Sequence, residues 1–108
     1  MKFLTIGNYK DIYYTMPQAE REKLSVSTLE VDVDIKKKMG DKFLFYTVPG
    51  RDRMLVIISE FGSIEELAKE FNRVPSVTAG FFKYETYPLM EIDETQLKAM
   101  LSKVKAGK

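Results

Sequence analysis

Apolar residues fall along the chain in short blocks whose spacing switches between two and three-or-four. Residues 2–7 are a brief apolar run closed by Gly7-Asn8, a strand ended by a turn signal. A polar and aromatic loop follows (Tyr9-Lys10-Asp11-Ile12-Tyr13-Tyr14-Thr15-Met16), and Pro17 fits the first turn of a helix, where a missing N–H is harmless. Thr15 has the better capping chemistry and Met16 the better spacing. Leu24, Thr28, Val31, Ile35 and Met39 then recur at helical steps. Glu30-Val31-Asp32-Val33-Asp34-Ile35 also alternates as a strand would, and Ser25, Val26, Ser27 and Thr28 are weak helix formers. The helical pattern is the longer one, running over residues 18–38 to a natural stop at Gly40, so a helix is expected, with the strand reading competing over residues 24–35. Val26, Leu29 and Val33 make a second stripe on that helix, which requires a second neighbour.

Residues 42–48 and 54–61 are strands rich in aromatic and β-branched residues, joined by Pro49-Gly50-Arg51-Asp52-Arg53 as a hairpin. Ser63 and Glu66 have capping-box spacing, and Ile64, Leu67, Ala68 and Phe71 form a helical face closed by Pro75. A fourth strand is expected over residues 80–87. Asp93 and Gln96 open a last helix with a stripe of Leu97, Met100, Leu101 and Val104. The order β-α-β-β-α-β plus a C-terminal helix predicts an α+β, ferredoxin-like sandwich with an antiparallel sheet, as one domain over residues 1–108.

In that fold both crossover helices cover one face of the sheet. The strands are nevertheless apolar at both parities: Met54, Val56 and Ile58 with Leu44, Tyr46 and Val48 make a second apolar face of roughly several hundred Å². Something has to cover it, either the C-terminal helix or, the stronger candidate, a second copy of the chain.

Composition narrows the chemistry. The chain has 108 residues, no cysteine and no histidine. Disulfides and thiolate sites are excluded, as are the usual general base near neutral pH, the commonest metal ligand and the usual haem ligand. No metal and no cofactor is expected. Seventeen basic residues balance sixteen acidic ones, which argues against nucleic acid as a partner. Lys36-Lys37-Lys38 reads as the dipole-complementing end of the first helix. No run has the length of a membrane span or the form of a signal peptide, so a cytoplasmic protein is expected.

Ser63-Ile64-Glu65-Glu66-Leu67, Val74-Pro75 and Phe81-Phe82-Lys83-Tyr84-Glu85-Thr86-Tyr87-Pro88-Leu89 resemble the muconolactone isomerase-like branch of the dimeric α+β barrel superfamily. The resemblance implies a homodimer, or a higher assembly, whose two sheets face each other around a cavity able to hold a small organic molecule. It carries over no catalytic residue, because no catalytic motif matches.

The ligand-binding candidates are therefore the polar groups set among apolar ones: Tyr13, Tyr14, Tyr46, Glu60, Tyr84 and Glu85. Tyr13 and Tyr14 precede the first helix, where a lid would lie, although a pair of packing anchors with hydroxyls in water is the plainer reading. Glu60 in an apolar cavity would have a raised pKa and could take a proton from an acidic C–H; at a strand end beside Gly62 it would be solvated. Two functions follow: binding or isomerising a small hydrophobic organic acid or lactone between the sheets, or a non-enzymatic dimeric domain with a filled core.

Overall fold

The computed structural model describes residues 1–107. The elements run β1 (Lys2–Tyr9), α1 (Asp11–Thr15), α2 (Gln18–Met39), β2 (Phe43–Val48), β3 (Arg51–Glu60), α3 (Ile64–Phe71), α4 (Pro75–Thr78), β4 (Phe82–Leu89) and α5 (Glu94–Ala106). The four strands form one antiparallel sheet in the order β2-β3-β1-β4, the ferredoxin-like arrangement.

The contested stretch is helical from end to end. Its strand-like alternation fails because Thr28 and Ile35, seven residues apart, are the two positions buried against the rest of the fold. Gly40 ends α2 at φ +57°, and the Lys36 ammonium donates to the carbonyls of Gly40 (2.9 Å) and Phe43 (2.6 Å), so this basic residue closes the helix. Two loop readings change. Residues 11–15 form a helical turn, and Thr15 donates back to the Ile12 carbonyl at 2.9 Å instead of capping α2, whose N-cap is Pro17. Gly7 lies inside β1, where a Cβ would meet the Phe82 ring across the strand; its value is close approach, not a turn.

The hairpin turn is also tighter than the sequence pattern suggests. Only Pro49 and Gly50 (φ +82°) lie outside the strands, and Arg51, Asp52 and Arg53 belong to β3. Ser63 caps α3, accepting from Glu66 N at 3.2 Å, and Pro75 opens α4 instead of closing α3. Asp93 and Gln96 make a reciprocal capping box on α5, each bond 2.8 Å.

Phe3, Phe43, Ile57, Ile35, Leu67 and Phe71 form the core between the sheet and helices α2 and α3. The C-terminal helix does not cover the opposite face. Leu97, Met100, Leu101 and Val104 are each more than half exposed, and α5 has no buried position among the described residues. The molecule is accordingly long, 62 × 29 × 22 Å, with a radius of gyration of 18.0 Å against about 13 Å for a compact chain of this size. Among the described residues no helix is long and apolar enough to cross a membrane.

Candidate functional site

The side of α2 that faces the fold carries Ile35, with Val31 and Met39 packed against the core, and three polar residues, Ser25, Thr28 and Asp32. Two of the three polar groups meet a hydrogen-bonding neighbour. Ser25 Oγ shares a 2.5 Å hydrogen bond with the Tyr13 hydroxyl of α1. Thr28 Oγ1 is hydrogen-bonded to Ser76 Oγ and accepts the Ser76 N–H at 3.3 Å, with both side chains buried. That N–H lies in the first turn of α4, which has no capping side chain of its own, so a residue from α2 caps it.

Asp32 has neither kind of support. Its carboxyl sits in a cleft walled by Phe45, Leu55, Ile57, Phe71 and Phe82, with Tyr9, Thr28 and Ser76 as the other polar lining. Burial acts on it with no cation or donor to offset the effect, and pushes its pKa up to about 6. Tyr9 reaches the same cleft from the end of β1. Burial raises its phenol above the ordinary value, with a smaller rise from the nearby Tyr13 and Asp32, against an opposing contact with Ser76. The cleft thus brings together a carboxyl with a raised pKa and a phenol in an apolar setting. The unfilled space is about 30 Å³, room for a water molecule or two.

Of the six side chains singled out in the sequence, two lie on α1 and the other four divide between the two faces of the sheet. Tyr13 stacks on Tyr9 with ring centroids 4.7 Å apart, so it backs the cleft at one remove. Tyr14 meets Tyr13 edge-on at 5.0 Å and lies 4.1 Å beneath the Arg53 guanidinium, which also pairs with Asp11. Tyr84 is on the covered face, 5.0 Å from Phe71, its phenol pKa raised by burial. Tyr46, Glu60 and Glu85 are on the open face. Tyr46 stands opposite Val56, Glu60 is at the strand end opposite Lys2, and Glu85 stands opposite Ile6, accepting the Tyr87 hydroxyl at 2.6 Å.

Asp32, Tyr9, Thr28 and Ser76 were not singled out by sequence reading. For Asp32 a signal exists: it stands four residues after Thr28 and three before Ile35, a charge on the buried stripe. Tyr9 shares the inward parity of Phe3, Thr5 and Gly7. Nothing local marks Ser76, whose role depends on α4 meeting α2.

No protein-family model matches the chain, and no curated protein matches its sequence. Among solved structures, 5-chloro-2-hydroxyhydroquinone dehydrochlorinase (TftG) from Burkholderia phenoliruptrix AC1100, in complex with 2,5-dihydroxybenzoquinone, is similar to it. The TM-score is 0.59 with 15% identity, covering 84% of this chain and 95% of that one. At this identity the likeness is one of fold.

Proposed function

We propose that the chain is the protomer of a dimeric α+β barrel, muconolactone isomerase-like in its last helix-to-strand stretch, which binds a small, planar, weakly acidic organic molecule beside Asp32. The observation that carries this reading is the Asp32 carboxyl itself, half-buried among aromatic and aliphatic walls with its pKa raised to about 6. An unsupported charge there lowers stability, and such groups concentrate at functional sites. A hydroxylated ring or enol could give its proton to Asp32 and hydrogen-bond Tyr9. The 2,5-dihydroxybenzoquinone bound by the structural neighbour is a molecule of that class.

An occupant must widen the cleft, since formed ligand pockets are on the order of 300–1,000 Å³. The four-residue helix α4, which contributes Ser76 and Val77, is its shortest walling helix. The small unfilled volume favours a second reading, a dimeric domain with a filled core and no ligand. A second copy laid on the open face would also enclose Tyr46, Glu60 and Glu85 between two sheets, an alternative place for the same ligand.

Thermal-shift titration with 2,5-dihydroxybenzoquinone, small phenols and lactones at millimolar concentration separates these readings. A rise in Tm that is lost in Asp32→Asn and kept in Glu85→Gln supports the cleft. The reverse pattern moves the site between the sheets, and no rise with any compound leaves the filled-core domain. Light scattering tests the dimer directly: the expected mass is twice the 12.5 kDa of one chain, and a clean monomer would refute it.

A further inference from the structure

Two apolar stripes of the same pattern lie uncovered on this chain. On the outer side of α2, Val26, Leu29 and Val33 are each more than half exposed, with Glu30 lining the same shallow groove. On α5, Leu97, Met100, Leu101 and Val104 are exposed to the same degree. Positions 26 to 33 and 97 to 104 are both seven steps apart, about 10.5 Å along a helix. Both place apolar residues at the first, fourth and eighth positions, the spacing that lets two helices interlock at a shallow crossing angle.

The charges supply a direction. On α2, Glu22 with Lys23 precedes the stripe, Glu30 flanks it and Lys37 follows it; on α5, Glu94 pairs with Lys98 at 3.1 Å, and Lys103 and Lys105 make the C-terminal end basic. Laid antiparallel, the basic C-terminal end of α5 meets the end of α2 that carries Glu22, and the helix dipoles oppose favourably. Val26 then faces Val104, Leu29 faces Leu101, and Val33 faces Leu97. Pairing α5 with the α5 of another copy would leave the α2 stripe bare, whereas the antiparallel α2–α5 contact covers both.

We propose that each α5 docks antiparallel on the Val26, Leu29 and Val33 stripe of a second copy, so that two chains exchange their C-terminal helices. This rests on the self-association proposed above. The docked helix lies on the back of the element that carries Thr28 and Asp32 on its other side, so exchange braces the wall of the cleft.

The chain has no cysteine, so paired cysteines report the contact without background. All positions used are exposed, and the substitutions leave the core untouched. Under mild oxidation V33C/L97C is expected to run mostly as a covalent dimer on a non-reducing gel. V33C/V104C, which needs the parallel register, should cross-link at least tenfold less. An internal disulfide in a monomeric V33C/L97C chain would overturn the proposal, as would efficient dimer cross-linking by M100C alone, the mark of α5 pairing with itself. A wild-type dimer by light scattering in which V33C/L97C fails to cross-link refutes the exchange and leaves the dimer standing. A wild-type monomer refutes both. Cross-linking without any ligand-induced Tm shift supports the exchange and counts only against the cleft.

Discussion

The two faces of the sheet are made by alternate residues of the same strands, yet they do opposite things with polarity. The covered face holds Phe3, Phe43 and Ile57 and, among them, Thr5 and Ser59 at full burial, with Asp32, Thr28 and Ser76 above it. The open face holds Leu4, Ile6, Val56 and Ile58 at its centre, paired in register across β1 and β3, with its charged residues at the strand ends (Lys2, Glu60) and on the β4 edge (Lys83, Glu85). Polar groups are thus secluded where the chain can shield them from water, and apolar ones are exposed where it has no cover of its own. The chain's own helices supply that seclusion on the covered face. The open face becomes equally secluded only when something else lies on it.

The sharpest way to break this contrast is a charge on the open face. Val56 lies between Ile6 and Tyr46 at the middle of that face. Val56→Lys is expected to weaken self-association at least 100-fold, because an unpaired buried charge in an interface costs about 3–5 kcal/mol. Monomer stability should change by less than about 1 kcal/mol, since the side chain is only half-buried there. Analytical ultracentrifugation together with urea unfolding checks both halves. Loss of folding without a change in association would show that the face is an ordinary part of the monomer.

On the covered face the corresponding break is Thr28→Val, which keeps shape and removes the hydroxyl. Ser76 then loses the partner of its hydroxyl and of its N–H, a loss of about 1–3 kcal/mol in unfolding free energy. Adding Ser76→Ala should recover the hydroxyl part alone. Full recovery would mean that Thr28 does not cap α4. The ligand response, if it depends on the cleft, should fall with either variant.

Much of this contrast was legible in the sequence, and the reason is parity. Regular strand residues alternate sides, so Met54, Val56 and Ile58 could be placed with Leu44, Tyr46 and Val48 on one uncovered face; the register bears out Leu44 with Ile58 and Tyr46 with Val56, while an irregularity at Thr47–Val48 sets Val48 opposite Arg51. Capping chemistry fixed the starts of α3 and α5 for the same local reason. The cleft was hidden because it is assembled from the end of β1, the middle of α2 and the start of α4, which only tertiary packing brings together. Glu60 drew attention through its apolar neighbours in sequence, but it is the last residue of β3 and exposed, with Ile58 on the same open face and Phe61 already outside the strand. Asp32 drew none, since its sequence neighbours suggested an ordinary charged surface.

Proton linkage sharpens the comparison within α2 itself, where Asp32 and Asp34 titrate in opposite directions. Asp34 is exposed and hydrogen-bonded by Arg73 at 2.6 Å, which lowers its pKa and adds stability above the ordinary carboxylate range that is lost on acidification. Asp32 has a folded-state pKa of about 6 against 3.8. Its contribution is therefore full below about pH 4 and is lost as pH rises through 6. Asp32→Asn should remove that fall and stabilise the protein at pH 7.5 by about 1–2 kcal/mol, a figure discounted for the solvent that reaches the carboxyl. Unfolding free energies of both proteins at pH 4.5 and 7.5 decide this; equal pH slopes would mean that Asp32 is solvated like Asp34.

The smallest expected effect tests whether every buried polar group of the covered face is there for a purpose. Ser59 lies in register between Phe3 and Phe43, fully buried, and its hydroxyl has no hydrogen-bond partner among the described residues. Unlike Thr28 it caps nothing, and unlike Asp32 it does not line the cleft. A serine here is explained by size, because the two flanking rings already fill the space that a larger residue would need. Ser59→Ala keeps the size and removes the desolvated hydroxyl, so it should be neutral or stabilising by up to about 1 kcal/mol. A loss of more than about 1 kcal/mol in urea unfolding would instead give the hydroxyl a structural partner, such as a bound water. The polar groups of the covered face would then be a connected set, and the cleft around Asp32 one part of it.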